Sequence, residues 1–522
     1  MSAPLHAEAG AAAQRAAFID TIEAGHPAVL WTTLPADLIT PVAAFLKLTA
    51  PGGAGRLAEA SSRACLLESV EGGSARGRYS VIALLPDLVW QCRDGAAMID
   101  RDPSGRTGFM PEVTSPLDSL AALIEASQFP LPAGLPPIAA GLVGYLGYDM
   151  VRQFEHLPAA PPNDLGVPEG VLMRPSLFVI FDNVRDELTF TAPVYPVLGG
   201  VGAQALHDAA RSLIETARAA LEAPLPRPVP QPVARGVSGE PSSTFTREGF
   251  IAAVLRAKSY IAAGDAFQIV PSQRFTAPFE LSPLAFYRAL RRVNPAPFLF
   301  LFLLDGFALA GSSPEVLVRL RDGEVMVRPL AGTRPRGATP EADAALEAEL
   351  LADPKERAEH LMLVDLGRND VGRVTTTGSV RVAESFTVER YSHVMHLSST
   401  VVGRVRPDVD ALTALAAGFP AGTLTGAPKI RAMEIIDELE PTRRATYAGC
   451  VGYFSADGSM DTCIGLRMAL LKDGMMHVQA GAGVVADSDP AAEYEETRQK
   501  ARALFRAADE ARRLAAAEIS PG

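Results

Sequence analysis

The sequence has 522 residues, of which 48% are apolar, and a formal net charge of -12. A chain of this length and apolar content can bury a large core, which excludes an intrinsically disordered protein. The acidic balance argues against nucleic acid or an anionic membrane as the main partner, so we expect a small-molecule ligand.

Cysteine spacing and apolar runs indicate the compartment. The four cysteines have no CxxC spacing, which argues against a zinc site or a disulfide framework and favours a reducing environment. The first residues lack the basic segment and long apolar core of a signal peptide. The longest apolar run, from Phe298 to Leu304, is far shorter than the roughly 20 residues that cross a bilayer. We therefore expect a cytoplasmic protein without a membrane span.

The first half of the chain predicts a sheet, a helix and a linker, in that order. Between Cys65 and Asp182, short β-rich runs alternate with Gly, Pro and Asp, which is typical of strands and turns. A helical pattern from Ala203 to Leu221 precedes a proline-rich passage. We predict two regions, 1–222 and 244–522, separated by a linker at 223–243.

The second half mixes strand and helix patterns. We predict a helix from Thr246 to Ala263, a strand over FQIVPSQRF and a helix that starts at a Ser-Pro pair in SPLAFYRALRRV. Further strand-like runs follow, and long helical patterns cover 341–366, 428–439 and 491–514. Runs of strands broken by long helices predict an α+β fold.

Two helical stretches each carry a pair of glutamates three residues apart, Glu356 with Glu359 and Glu493 with Glu496. Each pair lies on one helix face. If the two faces met, like charges about 4 Å apart would repel by about 4 kcal/mol at an effective dielectric of 20, and a divalent cation would turn this cost into binding. Oxygen ligands favour Mg²⁺. The alternative is four solvated glutamates on helix surfaces.

Glycines cluster near basic or hydroxyl residues at 331–337, 421–429 and 479–485. Glycine lets backbone N–H groups approach a ligand closely, and Pro428 at a helix start makes the middle segment a candidate anion site. Ordinary tight turns are the alternative for any one segment. Three such segments together favour a bound carboxylate or phosphate.

Long blocks in one order resemble the chorismate-binding enzyme family. They are GSSPE, PLAGTRPRG, DPKERAEHLMLVDLGRND, RYSHVMHLSS, GTLTGAPKIRAMEIIDELEP, GYFSADGSMDTCIGLR and QAGAGVVADSDPAAEYEETRQKA. The resemblance extends from about Thr246 to Ala507, and 65–182 resembles the N-terminal region of the family. It implies a large sandwich of antiparallel sheets flanked by helices, with the active site between the sheets.

The resemblance also implies roles for individual residues. It implies a Mg²⁺ site, with chorismate as substrate, at Glu356, Glu359, Glu493 and Glu496. Catalytic roles are implied for Glu315, as the acid that protonates the departing C4 hydroxyl, for His396 in the elimination of pyruvate, and for Thr423. The implied substrate-binding residues are Gly332, Thr333, Tyr447, Arg467, Gly483, Lys500 and Gln268. By themselves Glu315, His396, Tyr447 and Arg467 could equally be a turn acid, a core histidine, a packed aromatic and a surface cation.

Two positions indicate which nucleophile attacks the ring. Family members that add water carry a lysine base where this chain has Gln268, and a neutral amide cannot act as that base. Aminodeoxychorismate-forming members use a lysine nucleophile where this chain has Ala331. We therefore expect ammonia to attack C2 directly, giving anthranilate and pyruvate at the first step of tryptophan biosynthesis. The alternatives are an aminodeoxychorismate-forming subunit and a non-catalytic tryptophan-sensing protein.

The resemblance also implies a partner and an inhibitor. Cys450 lacks the flanking residues of a glutaminase nucleophile, so ammonia is expected from a separate glutamine amidotransferase subunit, in a heterotetramer. The segment ACLLESV resembles the tryptophan feedback element, with Ser69 near the ligand, and NPAPFL supplies an apolar wall at Pro297, Phe298 and Leu299. A buried strand with an incidental serine is the alternative.

Overall fold

The computed structural model describes residues 3–50, 57, 62–71, 75–102, 108–196, 200–226, 240–391 and 394–519. Most of the predicted linker, residues 227–239, lies outside this part of the chain. The α-helices are α1 (Ala3–Glu23), α2 (Pro41–Leu48), α3 (Pro116–Ala126), α4 (Val151–Phe154), α5 (Ala203–Glu222), α6 (Arg247–Ala263), α7 (Pro283–Val293), α8 (Pro340–Ala352), α9 (Pro354–Gly372), α10 (Ala411–Gly418), α11 (Gly422–Thr425), α12 (Lys429–Leu439) and α13 (Pro490–Ile519).

The strands of the first half are β1 (Ala28–Pro35), β2 (Ala64–Glu71), β3 (Ala75–Arg93), β4 (Ala96–Asp100), β5 (Met110–Pro111), β6 (Gly141–Leu146), β7 (Gly170–Asp182), β8 (Glu187–Val194) and β9 (Ser242–Ser243). Those of the second half are β10 (Gln268–Ile269), β11 (Ser272–Pro278), β12 (Phe298–Leu304), β13 (Phe307–Ser313), β14 (Val316–Arg321), β15 (Glu324–Val327), β16 (Leu330–Pro335), β17 (Arg381–Arg390), β18 (Val394–Arg404), β19 (Gly426–Ala427), β20 (Cys450–Ser455), β21 (Met460–Ile464), β22 (Met468–Lys472) and β23 (Met475–Gly481).

Helix starts follow the capping pattern that the sequence predicts. At Ser282-Pro283 the serine Oγ accepts a hydrogen bond from the Ala285 backbone N–H at 3.2 Å, as expected for an N-cap followed by proline. The prediction of a single helix over 341–366 is wrong. This segment forms two helices, α8 and α9, because Asp353 caps the second helix and Pro354 cannot donate the hydrogen bond that would continue the first.

The strand predicted over FQIVPSQRF also divides in two. Gln268 and Ile269 form β10, which pairs with β19, whereas β11 pairs with β23 in the large sheet. Pro271 lies between the two strands and has no N–H with which to continue a ladder. The break places Gln268 opposite Ala427 and outside the large sheet.

Strand pairing joins the two predicted regions. Every ladder between named strands in the described chain is antiparallel, and 21 of those strands belong to one continuous network. Within it, Leu67 of β2 lies opposite Phe300 of β12, and Gly144 of β6 lies opposite Gly452 of β20. Strands on either side of 223–243 therefore share their backbone hydrogen bonds.

Alternating side chains divide the network into a sandwich. Along β3, Val81 and Ala83 enter an inner core with Phe300 and Phe302, whereas Ile82 points to the opposite, outer side. Helices α5, α7 and α13 cover one outer face, and α3, α9 and α10 contribute to the core on another. The predicted α+β sandwich of antiparallel sheets flanked by helices is confirmed. The described chain contains no helix with the length and apolarity needed to cross a membrane.

Gly144 lies where β6 packs closely against β7, and we predict that a side chain at this position lowers stability. A Cβ added to Gly144 would lie 2.0 Å from the Val171 carbonyl oxygen, so Gly144→Ala must push the strands apart. We expect a loss of about 1–3 kcal/mol in the free energy of unfolding, measured by urea denaturation. Gly372→Ala is the control, because nothing lies within 4 Å of its added Cβ. Equal unfolding midpoints for the two variants would contradict this packing.

Candidate active site

A cavity of about 230 Å³ lies between β16, β23, the 421–425 segment and helices α9 and α13. All the residues expected to act in catalysis or to bind substrate line it. They are Glu315, His396, Thr423, Gly332, Thr333, Tyr447, Arg467, Gly483, Lys500 and Gln268. Ala331, Glu359 and Glu496 lie in the same wall, whereas Glu356 and Glu493 are outside the lining. Segments separated by more than 200 residues in the sequence thus meet in one cavity.

Glu315 is a buried acid at the junction of β13 and β14. Its Oε1 accepts hydrogen bonds from Thr423 Oγ1 at 3.2 Å and from the Leu330 backbone N–H at 3.4 Å. Burial raises the pKa of Glu315 to about 8, against the lowering effect of these hydrogen bonds. The carboxyl group therefore holds its proton at neutral pH and can act as a general acid.

His396 of β18 is a neutral imidazole with one free nitrogen. Nδ1 lies 3.0 Å from the Gly332 carbonyl oxygen and 3.1 Å from Thr333 Oγ1. Because a carbonyl only accepts, Nδ1 carries the proton and Nε2 is the unprotonated nitrogen. Nε2 is buried without a hydrogen-bond partner in the described chain, and burial lowers the pKa of His396 to about 4. Nε2 is therefore an available acceptor at the cavity wall.

Arg467 and Tyr447 supply donors suited to a carboxylate. Arg467 lies in the turn between β21 and β22 with a φ of 49°, and within the described residues its guanidinium has no hydrogen bond or ion pair. Burial lowers its pKa, but an arginine guanidinium keeps its charge in proteins. Burial raises the pKa of Tyr447 to about 12, so its hydroxyl remains protonated. A buried positive group with no ion-pair partner among the described residues favours an anionic ligand.

The four glutamates lie within electrostatic reach of one another at the helical side of the cavity. Burial raises the pKa of Glu359, and the charges of Glu356 and Glu496 raise it further. Burial also raises the pKa of Glu493, with a contribution from Glu496. Arg334 donates to Glu356 at 3.0 Å, and Lys500 pairs with Glu496 at 2.7 Å.

These acids do not form a closed set of metal ligands. In the part of the chain that is described, no three His, Cys, Asp or Glu side chains are close enough to hold one ion. The start of α12, where the sequence predicts an anion site, does not line this cavity, and Lys429 there pairs with Asp370 at 3.0 Å. The 421–429 segment contributes Thr423 and Leu424 to the cavity instead.

A second cavity, of about 990 Å³, brings together the residues expected near an inhibitor. Ser69, Pro297, Phe298 and Leu299 line it, because Leu299 of β12 lies opposite Glu68 of β2. Its wall shares Pro314 and Leu330 with the first cavity. The wall between the two cavities therefore contains Pro314, which precedes Glu315, and Leu330, whose backbone N–H donates to Glu315.

Some functional neighbours escape sequence reasoning. Tyr391 donates to Glu389 Oε2 at 2.7 Å and packs its ring against His396 at 5.6 Å between centroids. Gln479 lines the cavity with a buried Oε1 that has no partner in the described chain. Their positions in RYSHV and VQAGAG place them close to segments identified from sequence, but only the strand register shows which way they face.

Cys450 is not a nucleophile in this fold. It lies buried in β20 between β6 and β21. Burial raises the pKa of its thiol to about 12, so the thiolate that attack requires does not form near neutral pH.

Comparison with known proteins identifies relatives along almost the whole chain. The family described as chorismate binding enzyme matches residues 67–506. Anthranilate synthase component 1 of Cereibacter sphaeroides is 55% identical over 491 residues, covering 94% of this chain and 96% of the relative. The protein of the same name from Pseudomonas putida is 47% identical over 476 residues, covering 90% and 93%.

Solved structures share the architecture. The crystal structure of anthranilate synthase component I from Streptococcus pneumoniae TIGR4 matches with a TM-score of 0.70 at 33% identity, covering 90% of this chain and 98% of that one. The menaquinone-specific isochorismate synthase MenF of Escherichia coli matches with a TM-score of 0.66 at 20% identity, covering 92% and 95%, which shows a common fold.

The pKa of Glu315 predicts a pH-dependent stability difference from Glu315→Gln. Between pH 4.5 and about 8 only the unfolded chain is ionised at this residue, so the wild type loses stability as pH rises. Each pKa unit corresponds to about 1.4 kcal/mol, so the wild type should lose roughly 3–5 kcal/mol relative to the variant across this window. Urea denaturation at several pH values measures the difference. A difference that stays constant from pH 5 to 8 would refute the raised pKa.

Proposed function

The chain belongs to the chorismate-binding enzyme family, and we propose that it is the large subunit of an anthranilate synthase, converting chorismate and ammonia to anthranilate and pyruvate. One observation carries the proposal. A protonated Glu315, an unprotonated His396 nitrogen and an unpaired Arg467 surround a single cavity. This set matches the needs of a dicarboxylate substrate that loses a hydroxyl group and then pyruvate.

The residues divide the work between binding and proton transfer. Arg467 and the Tyr447 hydroxyl hold the enolpyruvyl carboxylate, which orients the ring. As ammonia forms its bond to C2, the C4–O bond breaks and Glu315 donates its proton, so that the hydroxyl leaves as water. Loss of the C2 proton and cleavage of the C3–O bond then release pyruvate and make the ring aromatic. His396, with its free Nε2, assists this elimination.

The cavity favours ammonia as the nucleophile. Gln268, whose Nε2 lies 3.4 Å from Glu359 Oε1, has no basic atom with which to activate water. Ala331 presents only a methyl group to the cavity, so no side chain at that position can attack the ring. Lys500 is engaged by Glu496 and by the Gly481 carbonyl oxygen at 2.9 Å.

We propose that Glu359 and Glu496 at the cavity wall, with Glu356 and Glu493 behind them, hold Mg²⁺ directly or through water. Burial raises the pKa of Glu359, the charges of Glu356 and Glu496 raise it further, and a divalent cation relieves this repulsion. Mg²⁺ keeps several waters and uses one or two carboxylates, so it does not require three converging acids. When bound it would hold the ring carboxylate of chorismate and make the ring more electrophilic.

We further propose an ammonia-supplying partner and an inhibitor. The partner is a glutamine amidotransferase subunit in a cytoplasmic heterotetramer, and it is required because the chain's own Cys450 thiol is protonated and buried. The inhibitor is tryptophan, bound in the second cavity beside Ser69, Phe298 and Leu299. The volume of this cavity lies at the upper end of the range, roughly 300–1,000 Å³, that is typical of small-molecule sites.

Product identity tests the function. Purified protein mixed with chorismate, Mg²⁺ and an ammonium salt should form anthranilate, detected by its blue fluorescence and by chromatography. Glutamine in place of ammonium should give no product until the amidotransferase subunit is added. An aminated product that keeps its enolpyruvyl group would instead identify an aminodeoxychorismate-forming subunit, and absence of turnover would contradict an enzymatic role.

Glu359→Ala tests the metal assignment. Loss of this cavity carboxylate should lower Mg²⁺-dependent turnover by about 100-fold or more, because the stabilisation a metal supplies is worth several kcal/mol. Mg²⁺ affinity, measured by calorimetry, should fall with it. Glu495→Ala is the matched control, since Glu495 is the neighbour of Glu496 but within the described residues forms an ion pair with Arg498 alone, at 3.8 Å, and does not line the cavity. Equal Mg²⁺ affinity in the two variants would refute the assignment.

A further inference from the structure

A buried ion pair lies directly behind the cavity, at the end of α12. Arg444 is 2% exposed and Glu440 is 5% exposed, and the two side chains meet at 2.6 Å. Neither residue lines the cavity. Burying two charges costs free energy, and an apolar pair of the same volume is often equally stable. Stability alone therefore does not explain why charges occupy this position.

The guanidinium donates to the backbone of two different cavity walls. Arg444 Nη2 donates to the Val270 carbonyl oxygen at 2.6 Å, and Nη1 donates to the Leu424 carbonyl oxygen at 2.7 Å. Val270 and Leu424 both line the cavity. Val270 lies two residues after Gln268, and Leu424 follows Thr423 directly. The two segments also contact each other, because the Val270 N–H donates to the Thr425 carbonyl oxygen at 3.0 Å.

A third wall is held through the aromatic ring of Tyr447. The Arg444 guanidinium lies 5.6 Å from the centroid of this ring and 4.8 Å from that of Tyr148. A cation over an aromatic face is attracted by the electron density of the ring, more strongly when the pair is desolvated. Arg444 thus contacts the residue whose hydroxyl we assign to the enolpyruvyl carboxylate.

Glu440 extends the network to a fourth wall. Its Oε1 accepts from the Ser272 N–H at 2.7 Å and from Ser272 Oγ at 2.8 Å. Ser272 Oγ in turn accepts from Gln479 Nε2 at 2.8 Å, and Gln479 lines the cavity. The ion pair is therefore linked to four parts of the cavity wall, at Val270, Leu424, Tyr447 and, through Ser272, Gln479.

We propose that Arg444, fixed by Glu440, is a positioning residue that sets the spacing of Gln268, Thr423 and Tyr447 around the substrate. The inference rests on the proposed function but concerns residues that do not touch the reacting atoms. Only the planar fork of arginine reaches two carbonyl oxygens and a carboxylate at once, which a lysine ammonium on a flexible stem cannot do. Loss of the contact at Leu424 moves Thr423 and weakens its hydrogen bond to Glu315.

Arg444→Lys tests the role, with Arg443→Lys as the matched control. Arg443 lies in the same turn but contacts Pro161 and Glu169, away from the cavity. In steady-state assays with ammonium, Arg444→Lys should lower kcat/KM by about 10- to 100-fold, mainly through a higher KM for chorismate. Arg443→Lys should change it less than about threefold.

The pH–rate profile separates positioning from general destabilisation. The Thr423 hydrogen bond lowers the pKa of Glu315, so its loss in Arg444→Lys should move the basic limb to higher pH. Thr423→Val supplies the reference, because it removes the same bond directly. An unmoved limb together with a wild-type KM would overturn the proposal.

A second variant guards against misfolding. The double variant Glu440→Leu/Arg444→Met leaves no buried charge unpaired, yet it frees both carbonyl oxygens. Thermal denaturation and circular dichroism establish that it folds, and its KM for chorismate should rise as in Arg444→Lys. If neither variant folds, the pair is structural and the proposal fails. If wild type forms no anthranilate, the proposed function fails instead, and calorimetric binding of chorismate still tests the positioning role.

Discussion

The site depends on backbone hydrogen bonds that join the end of β13 and the residues just after it to the end of β21 and the turn that follows. The Ser312 N–H donates to the Arg467 carbonyl oxygen at 3.1 Å, and the Ile464 N–H donates to the Glu315 carbonyl oxygen at 3.0 Å. These bonds place an acid and a cation in the same cavity wall, yet no ion pair forms between their side chains. Glu315 instead keeps its proton because it is buried, and Arg467 has no ion-pair partner in the described part of the chain, which favours an anionic ligand. Glu315 and Arg467 therefore do not neutralise each other's charge, and they retain separate roles, Glu315 as proton donor and Arg467 as anion receptor.

Strands and helices make different contributions around this pair. Hydrogen bonds with neighbouring strands fix the side chains of Glu315 and His396. Both groups are neutral because burial disfavours their charged forms. Glu359 and Glu496 project from α9 and α13, and the charge of Glu496 adds to the effect of burial in raising the pKa of Glu359. A rigid proton-transfer centre and a more adaptable anionic rim thus meet at one cavity. This arrangement suits a substrate whose carboxylate needs a metal while its hydroxyl needs a proton.

Much of this organisation could be predicted from sequence. The Ser-Pro and Asp-Pro starts, the alternating apolar strands and the paired glutamates are local patterns, and the resemblance placed the lining residues in one site. Other features depend on contacts between distant segments. Because the strand breaks at Pro271, Gln268 pairs with Ala427. Arg334 of β16 donates a hydrogen bond to Glu356 of α9. The hydrogen-bond partners of Arg444 lie up to 174 residues away, so its role becomes visible only when the walls it holds are seen together.

The wall between the two cavities shows how binding at one can reach chemistry at the other. Pro314 and Leu330 line both, and the Leu330 N–H donates to Glu315. On the side of the second cavity, Glu389 accepts from Tyr391, whose hydroxyl also lies 3.5 Å from the Pro314 carbonyl oxygen and whose ring packs on His396. A ligand that displaces Leu330 weakens a bond that lowers the pKa of Glu315, and one that displaces Glu389 removes the partner of Tyr391. Because densely packed interiors transmit strain, a displacement of this wall reaches both the acid and the histidine. The second cavity is thus joined to Glu315 and His396 through the wall that the two cavities share.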